Sequence, residues 1–375
     1  MSAMSIRTAM SINTAVLGYG LAGKVFHCPF VSAVPGLELS VIVQRTGDTA
    51  RERYPNARIL KSAEEAFADP NIDLIVVGLP NDTHYAMAKA ALEAGKHVVI
   101  DKPFASSSAE ARELIDLAKA KGLVLAPFHN RRWDADFLTL RKILDEGHLG
   151  RIVEVFSSYD RFRPIQRPNT WKEAASPTSG ILFDLGPHLV DQALALFGAP
   201  ARVTGSVRED RDQTDINDAV DITFEYDSTP FWPGKPVRFI CHATMLAADA
   251  APRFRVHGTH GSWTKYGLDP QENALLNLGA VPPQVGSSEP WLPEPESAWG
   301  TLTLATERKE PVQLEKKPYP SVTGDYRNFY VSVRDAIADG KPLAVPTEDG
   351  YRTVRLLELA QQSTKERRTL YVDFK

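Results

Sequence analysis

Short apolar runs alternate with amphipathic stretches from Thr14 to about His129. The runs Ala15–Leu17, Leu39–Val43, Leu74–Gly78, His97–Ile100 and Val124–Pro127 show no polar alternation, which predicts strands of a parallel sheet buried on both faces. Between them, Ser62–Ala68, Thr83–Ala94 and Ser108–Lys121 read as helices. Gly95 supplies a C-cap to the second, and the serines before the third can cap it, with Glu110 in its first turn. This alternation predicts a doubly wound α/β domain.

The texture changes after His129. Ile152–Ser157, Arg202–Val207, Val220–Tyr226, Val237–Thr244 and Phe254–Gly258 alternate with period two and have few helices between them. They predict an α+β domain with an open, mostly antiparallel mixed sheet covered on one face. Helices are expected near Leu185–Leu196, Tyr326–Ala338 and Thr347–Thr364, and Lys365–Arg368 reads as a charged final turn. Pro, Gly and Ser crowd Gly279–Gly300, which reads as a long surface loop. The boundary falls near His129–Trp133. The expected organisation is a disordered tail over residues 1–12, an α/β domain over 13–130 and a second domain over 131–375.

Composition narrows the partners. A length of 375 residues suits two domains. Forty-three basic against 47 acidic residues leave a net charge of −4, no electrostatic footprint for nucleic acid or an anionic membrane. No apolar stretch is long enough to span a bilayer, and the first dozen residues lack a signal-like apolar run. The two cysteines, Cys28 and Cys241, lie far apart, so a cytoplasmic protein without disulfides is expected. The histidines form no spaced ligand set, so no metal is expected. The outer face of the second sheet predicts a homodimer or homotetramer.

Gly18-Tyr19-Gly20-Leu21-Ala22-Gly23 is a GxGxxG that follows the first apolar run and precedes a plausible helix. The first glycine permits the tight turn, the second lets backbone approach a pyrophosphate, and the third lets helix and sheet pack closely. The helix N-terminus then offers free N–H groups to phosphate, so a dinucleotide is expected here. NAD sites usually carry an acid at the tip of the second strand. This strand runs instead into Gln44-Arg45-Thr46. Arg45 can pair with a 2′-phosphate and Thr46 can donate to it, which favours NADP; NAD, served by Asp48, is the alternative.

Together with Pro80-Asn81-Asp82-Thr83-His84, Ala94–Val98 leading into Asp101-Lys102-Pro103, and Asp184-Leu185-Gly186-Pro187-His188, the glycine loop resembles the Gfo/Idh/MocA oxidoreductases over nearly the whole chain. Gly18-Tyr19-Gly20, Val25-Phe26-His27 and His129–Asp134 are most similar to the branch of NADP-dependent scyllo-inositol 2-dehydrogenases. The resemblance implies a Rossmann domain followed by an open-sheet domain, with Lys102, Asp184 and His188 as catalytic residues. It also implies that Leu79, Pro80, Asn81, His84, Asp101 and Asn130 lie at the cofactor. The chain departs from the family pattern at Asp101, where Glu is commoner, at Gly78-Leu79, where Thr often precedes the Pro, and at Pro187.

In that frame His188 is the natural base, and Asp184, four residues earlier, is placed to fix its tautomer. Lys102 brings positive charge to the hydroxyl oxygen. His129, Asn130 and Arg131 at the crossover either meet a polyol or the nicotinamide ribose, or brace the hinge. Tyr159, Arg161, Arg163 and Trp171 suit a sugar face edged with hydroxyls, against a hydrated charged loop as the plainer reading. Tyr326 stands where the family often places an active-site tyrosine. The expected function is hydride transfer between NADP and a secondary hydroxyl of a cyclitol or sugar. The alternatives are a dinucleotide-binding regulator without turnover and a redox-cycling glycosidase on the same fold.

Overall fold

The computed structural model describes residues 11–167, 170, 173–288, 291–307 and 309–374. Six strands form a parallel sheet: β1 (Ile12–Leu17), β2 (Leu37–Val43), β3 (Arg58–Leu60), β4 (Leu74–Val77), β5 (His97–Ile100) and β6 (Leu125–Pro127). Their order is β3-β2-β1-β4-β5-β6, so the chain reverses direction across the sheet between β1 and β4. Ligands of doubly wound sheets bind at that switch point, outside the carboxyl ends of the strands. The unalternated strands are buried on both faces as expected: all four residues of β4 are inaccessible. Ser62 and Glu65 form a capping box, Ser107 caps the helix Ser108–Lys121, and Gly122 closes it in the left-handed region. The three-residue β3 is too short to show a periodicity and was not expected.

The second sheet has nine strands: β7 (Ile152–Asp160), β8 (Arg202–Arg208), β9 (Ala219–Tyr226), β10 (Val237–Thr244), β11 (Phe254–Gly258), β12 (Gly261–Lys265), β13 (Gly300–Ala305), β14 (Leu314–Tyr319) and β15 (Leu370–Tyr371). It runs β14-β13-β12-β11-β7-β10-β9-β8-β15, with β7 and β10 parallel and the other pairs antiparallel. Helices Ala135–Asp145, Gly186–Phe197 and Thr347–Glu366 cover one face and build its core. β14, of sequence LEKKPY, is an exposed edge strand without alternation, which explains why it escaped the sequence pattern. The uncovered face is mostly polar, carrying the ion pairs Arg238–Glu154 and Arg208–Asp221 with His242 stacked on Phe156.

The two sheets share their C-terminal helices. Phe329, Tyr330 and Val333 of the helix Arg327–Asp339 pack with Val16, Phe30 and Phe128 on the first sheet. Helix Thr347–Glu366 places Tyr351 and Val354 in the first core and Leu356, Leu357 and Ala360 in the second. The Gly279–Gly300 segment is more than a surface loop. Trp291 is buried, and the indole N–H donates to Gln271, while Val285 N–H donates to the carbonyl of Ala33. Among the described residues no helix is long and apolar enough to cross a membrane.

Close approach of helix Thr347–Glu366 to β8 depends on Gly205, where a Cβ would lie 2.2 Å from the carbonyl oxygen of Ala360. Gly205→Ala is expected to cost about 1–3 kcal/mol of stability, an overpacking effect read by thermal or urea denaturation.

Candidate active site

The carboxyl ends of β1, β4 and β5 and the turn before the helix Gly186–Phe197 enclose a cavity of about 480 Å³, the size of a small-molecule site. Gly18, Gly20, Leu21 and Ala22 form one wall. Gly18 has φ +94° and sits against the Gly78 carbonyl, where a Cβ would come within 2.9 Å. A Cβ on Gly23 would lie 2.0 Å from the Gly18 oxygen, so Gly23 serves packing and lies outside the cavity. Gly20 has open space around its Cα. This cradle fits a dinucleotide, with backbone exposed at the one glycine that a pyrophosphate must approach.

Tyr19 turns away from the cavity lining and packs edge-on against Tyr54. Arg45 and Thr46 are exposed at the tip of β2, beyond the cavity. Gln44 holds that turn by donating to the carbonyl of Thr46 and to Thr49. Asp48 lies 3.9 Å from Arg51. Leu79, Pro80 and Asn81 line the cavity beside the glycine loop, with Leu79 against Gly18, and Asn81 also donates to the Thr178 carbonyl. His84 does not reach the cavity. It is buried with its ring nitrogens 2.8 Å from the carbonyl oxygens of Pro103 and Leu79, which latches the loop after β4 to the loop after β5.

Lys102, just after β5, is the junction of the site. Its ammonium donates to the Asp184 carboxylate at 3.0 Å and to the Asp184 carbonyl at 2.8 Å. Arg161 Nη1 approaches the other carboxylate oxygen at 3.3 Å. The expected pairing of Asp184 with His188 is not what forms: His188 Nδ1 is buried and has no hydrogen-bond partner. The reason is local. Asp184 ends a separate short turn, Ile181–Asp184, and Leu185 breaks the spacing before the helix Gly186–Phe197 begins, with Pro187 in its first turn. His188 lines the cavity, and burial together with Arg131 and Lys102 holds its pKa well below the ordinary histidine value. The imidazole is therefore neutral at neutral pH.

Asp101 is one residue before this lysine and also lines the cavity. Burial pushes its carboxyl up, but the adjacent His27, Lys102 and His84 outweigh it and bring the pKa down to about 2. From the sequence His27 carries only the branch likeness and no role at the site. It occupies the π-helical turn Gly23–His27 with Nε2 3.5 Å from Asp101 and Nδ1 2.8 Å from the Tyr330 hydroxyl. Glycine at position 78 allows this close approach, since a Cβ there would come within 2.8 Å of the His27 ring.

Asn130 and Arg131 reach the cavity, whereas His129 is buried outside it, 3.9 Å from Asp191. Tyr159 and Tyr326 are likewise not in the cavity lining. Both hydroxyls donate to Asp134, at 3.3 and 2.6 Å, and Asp134 pairs with Arg131. These tyrosines build a buried layer behind the site because strand β7 and the helix Arg327–Asp339 carry them inward. Arg163 lines the cavity, and Trp171 lies outside the described residues. Glu272, which pairs with Arg131 from the helix Pro270–Asn277, was missed. Its signal was readable: Asp269 as N-cap, Pro270 after it and an acid in the first turn. Among the described residues no His, Cys, Asp and Glu group is arranged to hold a metal ion.

A dinucleotide cradle facing a lysine and a neutral histidine defines a Rossmann-type oxidoreductase site. Family comparison agrees along the chain: residues 12–129 match the oxidoreductase-family NAD-binding Rossmann fold, and residues 141–374 match the oxidoreductase-family C-terminal alpha/beta domain. The chain belongs to the Gfo/Idh/MocA oxidoreductase family. It is 42% identical over 360 residues to the uncharacterized oxidoreductase YdgJ of Escherichia coli, covering 96% of this chain and 98% of that one. It is 35% identical to the scyllo-inositol 2-dehydrogenase (NADP(+)) IolW of Bacillus subtilis over 98% of both chains. The crystal structure of the Bacillus subtilis oxidoreductase yvaA superposes with a TM-score of 0.89 at 34% identity, covering 98% of this chain and 100% of that one.

Burial and the neighbouring Asp136 and Asp269 carboxylates hold Asp134 up, against the pull of Arg131, to about 8. A carboxyl raised on folding stabilises fully below its unfolded pKa and loses that contribution as pH rises through the folded one. Stability is therefore expected to fall between about pH 4 and about pH 8. Asp134→Asn should flatten that slope in denaturation measured across the range.

Proposed function

We propose that this oxidoreductase is an NADP(H)-dependent dehydrogenase or reductase acting on a secondary hydroxyl of a cyclitol or sugar. The observation that carries the reading is the convergence of Lys102 and His188 on the cavity whose wall is the Gly18–Ala22 loop. NADP, when bound, supplies the hydride acceptor. The neutral His188 imidazole takes the hydroxyl proton during oxidation and returns it during reduction. The Lys102 ammonium commits two of its three N–H donors to Asp184, leaving one for the substrate oxygen, where negative charge grows. Asp184 acts by aiming that ammonium. Arg131, backed by Asp134 and Glu272, and Asn130 supply donors to the bound hydroxyls or the nicotinamide ribose.

NADP over NAD is supported by Arg45, which stands exposed at the tip of β2 with no carboxylate partner among the described residues. The relative IolW, whose name carries NADP(+), is consistent with this. A homodimer or homotetramer formed on the outer face of the nine-stranded sheet remains part of the proposal, as does a cytoplasmic location. The polar character of that face predicts a wet interface.

Purified protein mixed with a panel of inositols and aldoses, each with NADP and with NAD, is expected to reduce the nicotinamide with at least one polyol and to prefer NADP. A flat absorbance trace across the panel in both directions would sink the reading. Lys102→Ala should lower kcat/KM by about 10²–10³, the usual loss for one donor to a developing oxyanion. Arg45→Ala should raise the KM for NADP roughly tenfold or more with little effect on NAD. Because the His188 pKa is depressed, the acidic fall of kcat/KM for oxidation is expected well below pH 6.5.

A further inference from the structure

The segment Arg161–Lys172 carries Arg161, Arg163, Arg167 and Lys172 and contains no Asp or Glu. Its start continues β7 in extended form: Arg161 N–H donates to the Thr244 carbonyl, Arg163 N–H donates to the Met245 carbonyl at 2.7 Å, and Phe162 bridges Leu246. In extended chain, alternate residues share a side. Arg161 and Arg163 accordingly line the cavity, and the Phe162 ring is left 58% exposed. Arg167 joins them in the lining.

Charge within the cavity does not balance locally. Asp184 serves both Lys102 and Arg161, and Glu272 serves Arg131. Asp101 faces His27 and receives the Lys102 backbone N–H. Arg163 and Arg167 have no ion pair or side-chain hydrogen bond among the described residues, although Arg163 is half-buried. Burial and the repulsion of Arg161 and Arg167 even lower the Arg163 pKa. The carboxylates of Asp184 and Glu173 act on Arg163 without pairing with it, and two guanidinium groups at the wall of a site with no ion pair of their own are the arrangement that recognises a carboxylate or a phosphate. They rise from the second domain, across the cavity from the Gly18–Ala22 loop that cradles the dinucleotide phosphates.

We propose that Arg163 and Arg167 form an anion subsite, and that the substrate is a sugar or cyclitol bearing a carboxylate or phosphate group rather than a neutral polyol. This rests on the dehydrogenase reading for the identity of the cavity and sharpens its substrate class. The hydroxyl to be oxidised lies at Lys102 and His188, and the anion elsewhere on the same molecule is held by the arginine pair.

Calorimetric titration of the NADP-saturated protein with D-glucuronate, D-glucose 6-phosphate, D-glucose and myo-inositol, at constant ionic strength, tests it. At least one of the two anions should bind ten times or more tighter than glucose and inositol; glucuronate alone assigns a carboxylate, and the phosphate ester alone assigns a phosphate. Arg163→Gln and Arg167→Gln should each weaken the preferred anion roughly tenfold to a hundredfold. Equal binding of charged and neutral compounds overturns the subsite. So does a loss of the same size in NADPH affinity, read by nicotinamide fluorescence, since it would assign the arginines to the cofactor. Turnover of neutral polyols with no gain from an anionic group removes this inference and leaves the dehydrogenase reading standing. Tight anion binding with no nicotinamide reduction does the reverse.

Discussion

The ion pair between Lys102 and Asp184 joins the two halves of the molecule at the point where they meet the cavity. Lys102 is delivered by the end of a strand of the parallel sheet, and Asp184 by a short turn that covers the mixed sheet. Each side chain is only partly exposed, so the attraction is screened less than on a free surface. The pair also sets the chemistry around it. A lysine anchored at two oxygens is aimed, and the pull of Asp184 on His188 is outweighed by burial and by the nearby positive charges of Arg131 and Lys102. The histidine is left neutral beside positive neighbours, which suits a base.

Behind the cavity lies a second, buried layer of polar groups. Arg253 donates to Ser157, Tyr159 and Gln192 and faces Asp136, while Asp134 gathers Arg131, Tyr159 and Tyr326. Gln192 in turn donates to the Arg131 carbonyl. Such a layer costs desolvation energy and returns positional definition, because Arg131 at the cavity wall is gripped from behind. Arg132 does the same for the crossover, with Asp191 and Asp349 on two different helices.

Legibility followed the range of the forces. Strands β4 to β6 and the helix Ser108–Lys121 were readable to within a residue or so because burial on both faces and end-capping are local properties of the chain. The helix Ala135–Asp145 and strands β12 to β14 were not recognised, and the exposed β14 carries no pattern to recognise. Within the site, the glycine loop, Lys102 and His188 came from motifs. Tyr159 and Tyr326 were expected at substrate, yet they stand behind Arg131, since an aromatic residue beside a donor looks the same in sequence whether it faces the cavity or supports it.

By itself the sequence determined a βαβ nucleotide cradle, because turn stereochemistry at Gly18 and the close contact at Gly23 are demands on neighbouring backbone. It also determined the two kinds of sheet, through the difference between unbroken and alternating apolar runs. Only the tertiary structure decided which charges find partners. Asp184 meets a lysine 82 positions away and Glu272 an arginine 141 positions away, while Arg163 and Arg167 make no ion pair among the described residues. Charge pairing acts strongly over a few ångströms, and those separations exist only once both sheets have packed around one cavity.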